Sequence, residues 1–126
     1  MKQISAEECV ARILEDIEKR KTVDYADKNS VRRYNAGMDR IIERGNYLCD
    51  NYPDKMELLI VLLDHPDNDI ASTCTGLLFN LRNATREHKL AAFISAKKLL
   101  CRELNEIDRY GWTLNIKLWE DELQNT

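Results

Sequence analysis

Residues Leu58 to Leu81 read LLIVLLDHPDNDIASTCTGLLFNL, and the fold class turns on how the two halves are taken. The first half opens with six consecutive apolar residues, Leu58 to Leu63, a run that suits either a buried strand or a short buried helix. Asp64-His65-Pro66-Asp67-Asn68-Asp69 then makes a turn. Asp and Asn side chains bond to nearby backbone amides, proline fixes its own φ, and the acids are placed to cap a following helix. In the second half Ile70, Cys74, Leu77, Leu78 and Leu81 recur at the spacing of one helix face. No other segment offers a pairing partner for a strand. The stretch therefore reads as two helices joined by a polar turn.

Toward the N-terminus the same period recurs. Ser5 and Glu8 form a capping-box pattern, followed by Val10, Ile13, Leu14 and Ile17 on one stripe. Thr22 to Asn29 reads as a connector. Ser30 is the next expected cap, and from Val31 to Tyr52 apolar residues hold the helical period, with Gly37 and Gly45 inside the run. Gly45 falls on the apolar stripe, where close approach of a neighbouring helix would account for it. Pro53 ends this helix, because the residue before a proline is pushed out of the α region.

Toward the C-terminus, Arg82 to Thr85 is a break. Leu90, Phe93, Ile94, Lys97, Leu100, Cys101 and Leu104 predict a long fifth helix over 86–109, with Ile107 extending it and Gly111 as its stop. Trp112, Ile116, Trp119 and Leu123 mark a last helix. The expectation is an all-α chain of about six helices in one domain over 1–126, with a central hairpin at about 55–82 and flanking helices over 6–52 and 86–123.

Composition agrees. The 126 residues are 44% hydrophobic and 33% charged, enough to build a core and cover it with charge. Gly totals 4 and Pro 2, too few for the turns of a β-sandwich or propeller. The net charge of −3 argues against nucleic acid as the main partner, since phosphate neutralisation needs a basic excess. Six apolar residues fall far short of the ~20 of a membrane span. The start, MKQISAEECV, has no signal-peptide run, so a cytoplasmic protein away from the membrane is expected. Cys9, Cys49, Cys74 and Cys101 lack the paired spacing of a zinc or redox site and are expected to be reduced, small buried hydrophobes.

The central hairpin resembles a HEAT-type helical hairpin, whose copies stack because none buries its apolar side alone. The chain also resembles a bacterial family of small all-helical domains of unknown function. The residues carrying that likeness are Arg33-Tyr34-Asn35, Leu62 to Asp67, and Leu118-Trp119-Glu120, over roughly residues 22–123. The resemblance implies a short HEAT-like array with a tyrosine-bearing long helix before it and a tryptophan-bearing helix last.

No catalytic layout is present: no glycine-rich phosphate loop, no nucleophile elbow and no metal-binding histidine pair. His65 reads as a turn cap and His88 as a solvated first-turn residue. The expectation is a non-enzyme with no cofactor and no metal. Acidic pairs such as Asp39 with Glu43 and Glu103 with Glu106 are the fallback for an enzyme. Arg82, Arg86, Lys89, Lys97, Lys98 and Arg102 are the fallback for a nucleic-acid-binding repeat. Charge is unevenly spread. Lys55 and Arg82 face Asp54, Glu57, Asp64, Asp67 and Asp69 within 53–84, and Lys117 faces Glu120, Asp121 and Glu122 at the end. Asp64, Asp67, Asp69, Glu120, Asp121 and Glu122 are thus the expected contact set for a basic protein partner. Small acidic helical proteins resemble the immunity proteins of toxin–immunity systems, including contact-dependent growth inhibition. By that analogy of size, charge and fold, the partner would be a basic toxin domain, a nuclease, bound by a chain monomeric when free.

Overall fold

Helix formation follows the apolar period closely along most of the chain. The computed structural model describes residues 3–125 and contains no strand among them. Its helices are α1 (Ala6–Arg20), α2 (Lys28–Asn51), α3 (Glu57–Ile60), α4 (Asn68–Asn80), α5 (Arg86–Leu99) and α6 (Glu106–Gln124), with 3-10 turns at Pro53–Lys55 and Val61–Asp64. The chain is all-α. It divides into two compact units, one running to Leu59 and including Leu81–Asn83, the other comprising Ile60–Asn80 and the chain from Ala84 onward.

In the first unit α1 and α2 pack antiparallel, as three cross-helix pairs show. Arg20 Nε donates to the Tyr34 carbonyl, Arg40 to Asp16, and the Cys9 thiol to the Arg44 carbonyl. The core between them holds Cys9, Ile13, Ile17, Ile41 and Leu48. Ser5 caps α1 by accepting from the Glu8 amide at 3.1 Å, but the Glu8 carboxylate accepts from Arg12 instead of closing the box. Helix α2 begins earlier than expected. Asp27 caps it, and Ser30 lies buried within the first turn, where its Oγ accepts from the Asp24 amide at 2.8 Å. Gly45 is buried on the stripe. Gly37 is also closely approached: a Cβ there would stand 3.1 Å from Arg20 Cγ. Tyr52 closes the far end by donating its hydroxyl to the Ile4 carbonyl.

The apolar run at Leu58–Leu63 is helical, as α3 and the following 3-10 turn. It is less enclosed than six apolar residues suggest: Leu59 and Leu63 are buried while Val61 is 57% exposed. In the second unit α4, α5 and α6 run up, down and up. Ser95 meets Thr75 and Arg102 meets Asn68, so α5 is antiparallel to α4. Arg86 donates to the Leu123 carbonyl near one end of α6, and Arg109 to the Leu100 carbonyl at the other.

Two expectations for this region are corrected. The fifth helix ends at Leu99 and α6 starts at Glu106, so Gly111 lies inside a helix rather than stopping one. Asn105 caps α6 by accepting from the Asp108 amide, and Arg109 donates to the Leu100 and Arg102 carbonyls at the end of α5. The apolar period runs on through this break, which hid it. The inward face of α5 is also different. It is built from Ala92, Ser95, Ala96 and Leu99, whereas Leu90 and Ile94 lie on the exposed side. Small residues let α4 sit close, and the buried Thr75 and Ser95 hydroxyls satisfy each other at 2.9 Å.

All four cysteines are free, but only Cys9, Cys49 and Cys74 are buried. Cys101 is exposed because it lies beyond the end of α5. Ellman titration of the native protein should find one fast thiol, with the other three appearing only on unfolding. Desolvation pushes the Cys74 thiol up to about 12 from an ordinary value of 9.0. The folded state therefore keeps a proton that the unfolded chain releases above pH 9. The stabilisation is whole below pH 9 and is lost as pH rises toward 12, at about 1 kcal/mol per pH unit for this thiol. Urea midpoints for the wild type and Cys74→Ala, measured from pH 8 to 11, should converge as the pH rises. Parallel lines would contradict it.

Candidate functional site

The six acidic residues singled out in the sequence do not form one cluster. Asp64, Asp67 and Asp69 surround the turn before α4, at the end where α6 begins: Asn68 bonds the Glu103 carbonyl and Asp64 Oδ1 lies 3.7 Å from Lys98 Nζ. Glu120, Asp121 and Glu122 lie in the last turns of α6, about 20 Å further along at 1.5 Å per residue. Their duties differ too. The Asp67 carboxylate caps α4 by accepting from the Asp69 and Ile70 amides, at 2.8 and 3.3 Å. His65 Nδ1 accepts from the Asp67 amide, so this turn is built from its own side chains. Glu122 pairs with Lys89 at 2.9 Å. Glu120 and Asp121 are exposed.

What lies beside them was missed in the sequence. Ile107, Tyr110, Leu114 and Leu118 follow one another at three- and four-residue steps along α6 and are all exposed, Ile107 by 84% and Leu118 by 65%. The opposite face carries Trp112, Ile116, Trp119 and Leu123, with Trp119 and Leu123 buried. Helix α6 is therefore apolar on two sides. Starting the last helix at Trp112 left Ile107 and Tyr110 in other elements and broke the outer stripe in half. A helical wheel begun at the Asn105 cap would have found it.

Asp121 falls seven residues after Leu114 and three after Leu118, so it ends the stripe. Glu106 and Asp108 lie at its other end. Of the two cations on α6, Arg109 is engaged with carbonyls of the α5–α6 connection, leaving Lys117 against these acids. Next to the stripe, a shallow groove of about 390 Å³ between α4 and α6 is bordered by Ser72, Thr73, Ile107, Gly111 and Trp112. A Cβ at Gly111 would meet nothing within 4 Å, so the groove is open there.

The basic residues that would serve nucleic acid are largely turned to internal work. Arg82 pairs with Asp50, whose carboxyl is held below its ordinary pKa by hydrogen bonds from Asn83 and Arg82. Lys89 and Lys98 pair with Glu122 and Asp64, Arg86 bonds the Leu123 carbonyl, and Arg102 bonds Asn68. Lys97 stands 4.6 Å over the Phe93 ring. His88 Nδ1 accepts from the Thr85 amide, closing a capping box on α5. Among the described residues, no three His, Cys, Asp or Glu side chains gather as a metal site requires, and no helix is long and apolar enough to cross a membrane. No family model, curated protein or solved structure matches the chain.

Proposed function

We propose that the chain is a non-enzymatic protein-binding module, and in its sharper form a cytoplasmic immunity protein that neutralises a cognate bacterial toxin. The observation that carries the reading is the outer face of α6. A four-residue apolar stripe left in solvent costs free energy that only a partner recovers, and contiguous apolar patches of this kind mark protein interfaces. The acids that end the stripe favour a basic partner. They steer its approach, while Tyr110, Leu114 and Leu118 fill pockets on it. A nuclease toxin presents a basic substrate cleft, and a protein seated there blocks the substrate. The size, acidity and helical architecture of the chain are the basis for preferring a toxin to other basic proteins.

The test is a binding measurement against the toxin domain encoded beside the gene, paired with growth protection on co-expression. Leu118→Asp should weaken binding by about 30-fold or more, the effect of losing a central anchor. Asp121→Lys should mainly slow association, and the difference should fade as salt screens it over a Debye length of ~8–10 Å. Asp121 suits this purpose better than Asp67, whose reversal also removes the α4 cap. If Leu118→Asp binds as tightly as the wild type, α6 is not the contact surface. A chain that gives no protection against the adjacent toxin is not its immunity protein.

A further inference from the structure

The cleft between the end of α1 and the first half of α2 has no role in the reading above, and its chemistry is of the opposite sign. It encloses about 560 Å³ and is lined by Lys19, Arg20, Arg33 and Arg40, with Asp16 as its single acid. The lining thus carries a net charge of +3 within a chain whose total is −3. Two of its guanidinium groups are fixed in place. Arg40 donates both Nε and Nη2 to one oxygen of the buried Asp16, at 3.1 and 2.9 Å, which leaves Nη1 uncommitted to that carboxylate. Arg20 lies 3.9 Å over the Tyr34 ring and donates Nε to the Tyr34 carbonyl at 3.2 Å. Its two terminal nitrogens stay clear of that bond.

Gly37 makes the second arrangement possible. A Cβ there would be 3.1 Å from Arg20 Cγ and 3.3 Å from Cδ, so any larger residue would push the arginine stem aside by a few tenths of an ångström, and glycine lets it lie flat across α2. A helix-interior glycine costs about 1 kcal/mol against alanine, and here it positions a cation. The carbonyls at the end of α1, which would repel an anion, are already bonded by the Lys21, Thr22 and Val23 amides. A neighbouring recess of about 250 Å³ shares Asp16, Lys19 and Arg40 and adds Arg12, Arg44 and Glu15, whose carboxylate pairs with Lys19 at 2.9 Å, and the Arg44 Nε is buried with no hydrogen-bond partner among the described residues.

We propose that this cleft binds a small anion carrying a diphosphate group. Planar guanidinium forks match phosphate oxygens in pairs, and positioned ones lose little freedom on binding. The space is of the size that small-molecule sites take and exceeds what one phosphate fills. Lys19 is already paired with Glu15, and the remaining net charge of +2 from Arg20, Arg33 and Arg40 against Asp16 is balanced by a diphosphate and not by a monocarboxylate.

Calorimetric titration of the full chain with inorganic pyrophosphate at low ionic strength tests it. One-to-one saturable binding is expected, about 10-fold or more tighter than for inorganic phosphate at equal ionic strength. Arg33→Gln should weaken pyrophosphate binding by about 10-fold, the loss of one charge-assisted hydrogen bond. Gly37→Ala should weaken it similarly while circular dichroism reports an intact helix. Arg32→Gln removes an exposed cation from α2 outside the cleft and should change affinity less than about 2-fold. The proposal is overturned by the absence of saturable binding, by equal affinity for phosphate and pyrophosphate, or by Arg32→Gln matching Arg33→Gln.

Discussion

Trp119→Ala will lower the stability of the second unit by about 3–5 kcal/mol, the largest effect expected of any single substitution in this chain. Trp119 is buried in α6, with its ring stacked on Phe79 of α4 at 4.0 Å and 3° between planes. Trp112 meets it edge-on at 5.6 Å. A buried aromatic covers about 150–250 Å², worth about 4–6 kcal/mol as an upper bound, and the paired rings contribute about 0.5–1.5 kcal/mol beyond area. The variant leaves a hole between two helices held apart by their remaining side chains. Urea unfolding followed by far-UV circular dichroism gives the value. A loss below about 1 kcal/mol would mean that α6 does not pack on α4 through this ring.

Leu78→Ala comes next, at about 2–5 kcal/mol. Leu78 is fully buried in α4, one turn beyond the hydroxyl pair of Thr75 and Ser95. That pair and the Phe79–Trp119 stack fix the flanking helices, so the site collapses poorly and the upper half of the range is expected. Val61→Ala is the matched control. Val61 belongs to the longest apolar run, yet its exposure limits the cost to about 0.5 kcal/mol or less. Equal losses for the two variants would mean that the apolar character of a segment, not its burial, decides its contribution.

The helical period was legible wherever an apolar stripe and its cap agreed. Ser5 before α1 and Asp67 before α4 each accept an amide bond at the turn where the stripe begins. The period misled where it continued across a break. Leu100, Leu104 and Ile107 keep helical spacing, yet the chain leaves the helix after Leu99, and the Leu100 carbonyl accepts from Arg109, nine residues on. Residue size misled on α5, where bulky Leu90 and Ile94 looked like the core and Ala92 and Ala96 are. Of the candidate site, the acids were visible as composition. Their separation to opposite ends of α6, and the apolar stripe that runs between them, were not.

Sequence alone determined the all-α class, the central turn and the starts of α1, α4 and α5. These follow from period and capping, which act over three or four neighbouring residues and are written in the order of side chains. Only tertiary structure decided which stripes are covered. Helix α6 carries two, and Phe79, forty residues away, selects the Trp119 side while Leu118 stays in solvent. The same holds for the basic cleft, where Asp16 fixes Arg40 and Gly37 admits Arg20, pairs separated by 24 and 17 positions. Burial and charge pairing depend on distances in space, and a linear pattern records only distances along the chain.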